Sequence, residues 1–217
     1  MIDTSAPLGL LGGTFDPVHF GHLRLAEECA EALKLSQVLL VPAARPWQRS
    51  GLITPAGHRV AMVRLAVEGN PRLAVDEREV GREGPSYSID TLTSLRDEIG
   101  PRRALVMIVG SDQFLNLPTW HRWEDLFDQA HIAVARRANE PFDLKLLPGR
   151  LAEAVEPRLT LDVAALSEPS GRVFNIEMTP LSISSSQIRT LTRSGASARY
   201  LLPEAVRDYA RAHGLYA

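Results

Sequence analysis

LGLLGGTFDPVHFGHLRLAEE, Leu8 to Glu28, decides how the rest of the chain is read. Leu8 to Leu11 is a short apolar run that ends in Gly12 and Gly13, and beyond Pro17 the apolar spacing becomes helical from near Gly21. A buried strand, a tight turn and a helix in that order open a parallel sheet, and glycines at the strand's carboxyl end let backbone approach a ligand closely. Free amides at the helix start then face an anion. His19 and His22 are three apart, at or just before the first helical turn, so both imidazoles fall on one side of a phosphate-sized space. A surface histidine and a capping histidine explain either one alone; the pair directly behind Gly-Gly-Thr favours an anion site. The dinucleotide pattern GxGxxG is absent and no GKS or GKT follows the glycines, so neither a dinucleotide fingerprint nor a P-loop accounts for the stretch.

Outward from this unit, short apolar runs alternate with amphipathic ones. Val38 to Val41 precedes His58 to Val67, Leu73 to Val75 precedes Ile89 to Ile99, Ala104 to Val109 precedes Trp120 to Phe127, and Ile132 to Ala135 follows. That alternation predicts an α/β fold, a Rossmann-like doubly wound parallel sheet of about five strands. Ligands of such a sheet lie beyond the carboxyl ends of the strands, after Leu11, Val41, Val109 and Ala135. A single domain over 1–217 is expected, with its core at about 8–138. The periodicity decays over 139–172, where Pro141, Pro148, Pro157 and Pro169 predict loops, short strands and one helix at most. Val173 to Ile176 reads as a further strand, and Ser185 to Arg193 and Pro203 to His213 as helices that form a small C-terminal helical cap over 173–217.

Composition narrows the function classes. Hydrophobic residues are 45% and charged residues 23% of the 217, which suits a packed core rather than disorder. A net charge of -2 argues against bulk coating of nucleic acid, so any anion site is local. Lys34 and Lys145 are the only lysines, which leaves almost no candidate for Schiff-base chemistry, and Cys29 alone excludes a disulfide framework or a structural zinc site. The first residues lack a basic start followed by an apolar run of roughly 7 to 15 residues, and nothing approaches ~18 continuous apolar residues. The expectation is a cytoplasmic protein without membrane or nucleic-acid partners, working as a monomer or homodimer.

A second anchor lies about 165 residues further on, SISSSQIR, Ser182 to Arg189. Ser184 with Gln187 fits an S-x-x-Q capping box, and hydroxyls with free amides at a helix N-terminus also bind anions, with Arg189 one turn in. The first anchor resembles the GTFDPxHxGH signature of the nucleotidylyltransferase superfamily, and the second resembles its ISSTxIR motif with Ser186 in the threonine position. Within that superfamily the chain resembles the bacterial nicotinate mononucleotide adenylyltransferases through four further segments. VPAARPWQR, Val41 to Arg49, has Trp47 and Gln48 where that family usually has proline and histidine, while Arg49 keeps the cation. GPSYSIDTL, Gly84 to Leu92, GSDQFLNLPTWHRWEDL, Gly110 to Leu126, and Arg136 after the fifth strand follow in the family's order.

The resemblance implies adenylyl transfer from ATP to nicotinate mononucleotide, giving nicotinate adenine dinucleotide and pyrophosphate. It implies that His19 and His22 donate to the α-phosphate and bridging oxygens, and that a triphosphate beside them favours the protonated rings. Arg189 with Ser184 and Ser185 would hold the β- and γ-phosphates, with Gly12, Gly13 and the amides of Thr14 and Phe15 completing the cradle and Gly110 and Asp112 contacting the nucleotide. Tyr87, Ser88, Arg49, Trp120 and Arg136 would meet the acceptor, Trp120 by stacking on the pyridine ring; Ser88 as a helix cap and Arg136 as a solvated cation are the plainer readings. Trp123 reads as core. Mg2+ is expected as a passenger of ATP, with no protein metal ligand assigned and Asp16 or Asp112 near its waters. Other adenylyl- or cytidylyltransferases of the superfamily, such as a pantetheine-phosphate adenylyltransferase, and a non-catalytic nucleotide sensor are the competing readings.

Overall fold

Strand β1 (Leu8–Gly13) sits in the middle of a fully parallel sheet because its apolar residues are buried on both faces, as a strand covered by helices on each side requires. The computed structural model describes residues 5–45, 54–137 and 142–217. β1 pairs on one side with β2 (Gln37–Pro42), Leu8 opposite Gln37 and Gly13 opposite Pro42, and on the other with β4 (Leu105–Gly110), Leu8 opposite Leu105. With β3 (Leu73–Val75), β5 (His131–Arg137), β6 (Leu159–Thr160) and β7 (Val173–Met178) the order is β3-β2-β1-β4-β5-β7-β6.

Alternation along the strands sorts the core into two halves. Leu11, Val38, Leu40, Val106 and Ile108 face Ala26 and Cys29 of α1 (Phe20–Ala32) and Met62 and Val63 of α2 (Ala56–Val67). Leu8, Leu10, Leu105, Met107 and Val109 face Ile89, Leu92 and Leu95 of α3 (Ser88–Ile99), with Trp123 in the same cluster, as expected for that residue. The doubly wound architecture is therefore as read from the alternation. The strand count is not: among the described residues seven strands replace the expected five or so. β7 pairs in register with β5 over six residues, from Ile132 opposite Val173 to Arg137 opposite Met178, and the two-residue β6 lies in a stretch with no period to reveal it.

Two local expectations also change. Trp120 to Phe127 is not one helix. After α4 (Ser111–Leu115) come 3-10 turns at Leu117–Thr119 and Trp123–Asp125 and then α5 (Leu126–Gln129). Pro118 removes a helical donor and Arg122 takes a left-handed conformation with φ 51°, which together break the continuous ladder. The weakly patterned segment holds α6 (Gly149–Val155) and β6. α7 (Ser185–Arg193) appears where expected, and α8 (Glu204–Ala212) packs against α2 rather than directly on the sheet. Among the described residues no helix is long and apolar enough to cross a membrane.

Candidate active site

The sheet order reverses between β1 and β4, and their carboxyl ends open a crevice there. Two cavities fill it, of 330 Å³ and 470 Å³. His22, Leu25, Gly110, Asp112 and Ser185 line both, so the cavities meet at one junction. The smaller extends along Gly12 to Phe15 toward Glu79, Ser88 and Trp120; the larger extends past His19 toward Arg136 and Ser184 to Ser186.

The turn after β1 owes its shape to Phe15, whose φ of 50° is left-handed and whose ring is buried beneath Gly13. A Cβ on Gly13 would lie 2.9 Å from that ring, so only glycine fits. Phe15 also meets the His22 ring edge-on at 5.0 Å. His19 and His22 stack at 3.7 Å between centroids, and the His19 amide donates to His22 Nδ1 at 3.3 Å. An accepting Nδ1 leaves the proton of a neutral His22 on Nε2, the nitrogen suited to donate to a ligand. His19 is only 5% exposed, burial lowers its pKa to about 4, and its Nδ1 has no partner among the described residues. In the free protein His19 is therefore neutral near pH 7, and the protonated ring expected beside a triphosphate belongs to the bound state.

The two sequence anchors are clasped together. Ser184 caps α7 by accepting from the Gln187 amide at 3.2 Å, and its hydroxyl lies 3.1 Å from that of Ser186. Ser185 Oγ donates to the Pro17 carbonyl at 2.9 Å and Arg189 Nη1 donates to the Asp16 carbonyl at 2.7 Å. Ser184 and Ser185 thus reach the larger cavity, whereas Arg189 lines neither cavity and spends a donor on the loop behind them.

On the other side, Ser88 and Trp120 line the smaller cavity. Trp120 is half-buried and its Nε1 has no partner among the described residues. Ser88 is the first residue of α3, which Tyr87 precedes as N-cap, so the serine does not cap it. Tyr87 stacks on His121 at 4.3 Å instead of lining the cavity. Arg136 lines the larger cavity, across the junction from Trp120, and pairs with Glu177 at 2.8 Å and Asn175 at 3.0 Å. The strand order sets Arg136, at the end of β5, in a different cavity from Trp120, which follows β4. Arg49, Trp47 and Gln48 lie outside the described residues.

A cytidylyltransferase-like family model matches residues 10–191, from within β1 to within α7. The chain is 49% identical to the probable nicotinate-nucleotide adenylyltransferase of Dechloromonas aromatica (strain RCB), over 98% of each chain. It is 47% identical to the one so named in Pseudomonas syringae pv. tomato, over 96% of this chain and 93% of that one. The chain belongs to the nicotinate-nucleotide adenylyltransferase family. Among solved structures, Plasmodium falciparum nicotinic acid mononucleotide adenylyltransferase, complexed with NaAD, shares the fold with a TM-score of 0.73 at 16% identity, covering 97% of each chain.

In this member of the nicotinate-nucleotide adenylyltransferase family, sequence reasoning passed over two buried charged residues. Arg59 of α2, 1% exposed, donates to the carbonyls of Thr14 at 2.8 Å, Thr54 at 3.1 Å and Ala44 at 3.3 Å. It ties the loops after β1 and β2 to the start of α2; burial lowers its pKa while the Asp16 charge opposes that. Glu79, also buried, accepts from Thr91 Oγ1 at 2.6 Å and lines the smaller cavity. Burial raises its pKa, opposed by the Thr91 and Ser86 hydroxyls and by Arg82. Ser86 Oγ in turn accepts from the amides of Ala44 at 3.1 Å and Arg45 at 3.2 Å. A charged residue at a buried helical position, Arg59 among Val60, Met62 and Val63, was the available signal; for Glu79 there was none.

Proposed function

We propose that the chain transfers the adenylyl group of ATP to nicotinate mononucleotide, releasing pyrophosphate and forming nicotinate adenine dinucleotide in NAD biosynthesis. The observation that carries this reading is the junction at His22 and Asp112, where two cavities of nucleotide size meet under the clasped anchors. ATP occupies the larger cavity with its triphosphate reaching from Ser184 to Ser186 across the junction to the Gly13 to Phe15 turn that lines the smaller, and the pyridine nucleotide occupies the rest of the smaller cavity with its ring against Trp120.

A phosphate monoester loses its second proton at a pKa of ~6, so the attacking oxygen is already ionised near neutral pH and needs no general base. It forms a bond to the α-phosphorus as the bond to the bridging oxygen breaks, and pyrophosphate leaves with that electron pair. The protein's task is alignment and positive potential. His22 donates Nε2–H to the α-phosphate, His19 gives its unpartnered edge to the same group on binding, and Arg189 steadies the loop while adding charge from behind. Backbone amides near Tyr87 and Ser88 read the pyridine carboxylate.

Mg2+ carried in with ATP would supply charge neutralisation on the phosphates. Among the described residues no group of three or more His, Cys, Asp or Glu side chains forms a metal cage. Asp112, at the junction, suits contact with metal-bound water, whereas the Asp16 carboxylate is engaged by Tyr216. The enzyme is proposed to work in the cytoplasm as a monomer or homodimer, without nucleic-acid or membrane partners.

Incubation with ATP and, in parallel, nicotinate mononucleotide, nicotinamide mononucleotide or phosphopantetheine, with pyrophosphate as readout, tests the reading. Release is expected with the pyridine nucleotides and greatest with the acid form. Release with phosphopantetheine alone, or ATP binding with no release for any acceptor, overturns it.

A further inference from the structure

Four consecutive residues, Thr14 to Pro17, carry the turn on which His22 rests through Phe15, and each clamp on them comes from a distant element. Arg59 of α2 holds the Thr14 carbonyl, Arg189 of α7 the Asp16 carbonyl and Ser185 of α7 the Pro17 carbonyl. The Asp16 side chain is the fourth attachment. It is 4% exposed and accepts from the Tyr216 hydroxyl at 2.6 Å across 200 positions of chain. Tyr216 is itself buried, its hydroxyl 3.9 Å from Met62 Sδ of α2, and it follows α8 with a left-handed φ of 68°.

A buried carboxylate is costly unless hydrogen-bonded, and the cost is met here by one phenol and by the field of Arg59. We propose that Tyr216 and Asp16 form a positioning pair that sets the Thr14–Pro17 turn, and through Phe15 the His22 ring, for adenylyl transfer. Neither residue touches the reacting atoms. Their effect is on angle: Phe15 is held in its left-handed conformation between attachments on both sides, and a turn released at Asp16 lets the ring beneath His22 move. Transfer depends on alignment to within a fraction of an ångström, so such a release lowers turnover more than binding. This inference rests on reading the turn as the triphosphate cradle.

The test compares Tyr216→Phe, Asp16→Ala, Asp16→Asn, the Tyr216→Phe/Asp16→Ala double variant and His22→Ala in the full chain. Melting temperature, ATP stoichiometry by titration, and kcat and KM for both substrates are measured. Tyr216→Phe is expected to bind one ATP per chain and to lose about tenfold in kcat per bound ATP, with KM for nicotinate mononucleotide unchanged within twofold. The double variant should lose no more than Asp16→Ala alone, because one contact is removed twice. Asp16→Asn, which keeps an acceptor oxygen for the phenol, should lose less than Asp16→Ala, and this comparison stands even if Tyr216→Phe fails to fold. A kcat per bound ATP within twofold of the parent in Tyr216→Phe, losses that multiply in the double variant, or equal losses in Asp16→Asn and Asp16→Ala overturn the pairing. Full turnover in His22→Ala instead overturns the cradle reading, whatever the Tyr216 variants do.

Discussion

The two cavities are built in different ways. The larger is walled at helix starts by Gly21 backbone and the Ser184 to Ser186 hydroxyls, with Asp112 and Arg136 beside them, and it adjoins the turn clamped from α2 and α7 whose Thr14 and Phe15 face the smaller. The smaller is walled by Trp120 on a pair of 3-10 turns and by a buried acid, Glu79, that gathers the Thr91 and Ser86 hydroxyls. Phosphate is recognised by generic features of backbone, which need rigidity more than particular side chains. A pyridine ring and its substituent need individual side chains at set places, which tertiary packing must bring together.

Four measurements would break or sharpen that contrast. The largest effect belongs to His22→Ala, where loss of one donor to the reacting phosphate should lower kcat by roughly 10²–10³ while ATP affinity changes only a few-fold. Equal losses in kcat and affinity would mean that the larger cavity uses His22 for binding rather than for transfer. Next, Arg59→Met leaves three carbonyls without their cation. At ~1–3 kcal/mol for each unsatisfied group, with partial relaxation, unfolding in urea should show a loss of about 3 kcal/mol. A loss near zero would show that the turn is not held from α2.

The third concerns pH. The folded pKa of His19, about 4, lies below the ordinary 6.5, so between those values the unfolded chain binds the extra proton and folding weakens as pH falls. Stability from this group is whole above pH 6.5 and declines toward pH 4; at pH 5 the loss is about 2 kcal/mol. His19→Gln should flatten that slope in denaturation curves at pH 7 and 5, and an unchanged slope would show that the buried ring is not its source. Smallest, Trp120→Ala should raise KM for the pyridine nucleotide about tenfold, a stacking-sized effect, and leave KM for ATP alone. A selective change for ATP would exchange the assignments of the two cavities.

Much of the larger cavity was legible because its signals are local. GGTFDPVHFGH and SISSSQIR each encode a turn or cap within a dozen residues, which sets His19 and Ser184 to Ser186 at the larger cavity, His22 at the junction and Gly13 just across it in the smaller. Which cavity Arg136 lines depends on β5 lying beyond β4, a matter of strand order. Nothing near Glu79 in sequence distinguishes a buried, bonded charge from a solvated one, and the apolar neighbours of Arg59 mark burial without naming its partners; the partners at Thr14, Ala44 and Thr91 are supplied by other elements. The short β6 and the broken helix after α4 were hidden for a related reason, since neither a two-residue strand nor a 3-10 turn is long enough to show a period.

By itself the order of residues determined the alternating strand-helix plan, the carboxyl-edge location of the candidate site and the turn and cap formed by the two anchors, since each follows from periodicity and backbone rules acting over a few residues. Only the tertiary structure decided that Arg189 faces the loop rather than a cavity, that His19 is buried and neutral, and that Tyr216 meets Asp16. Those outcomes depend on desolvation and on contacts between residues far apart in the chain, and neither quantity exists until the sheet has closed around them.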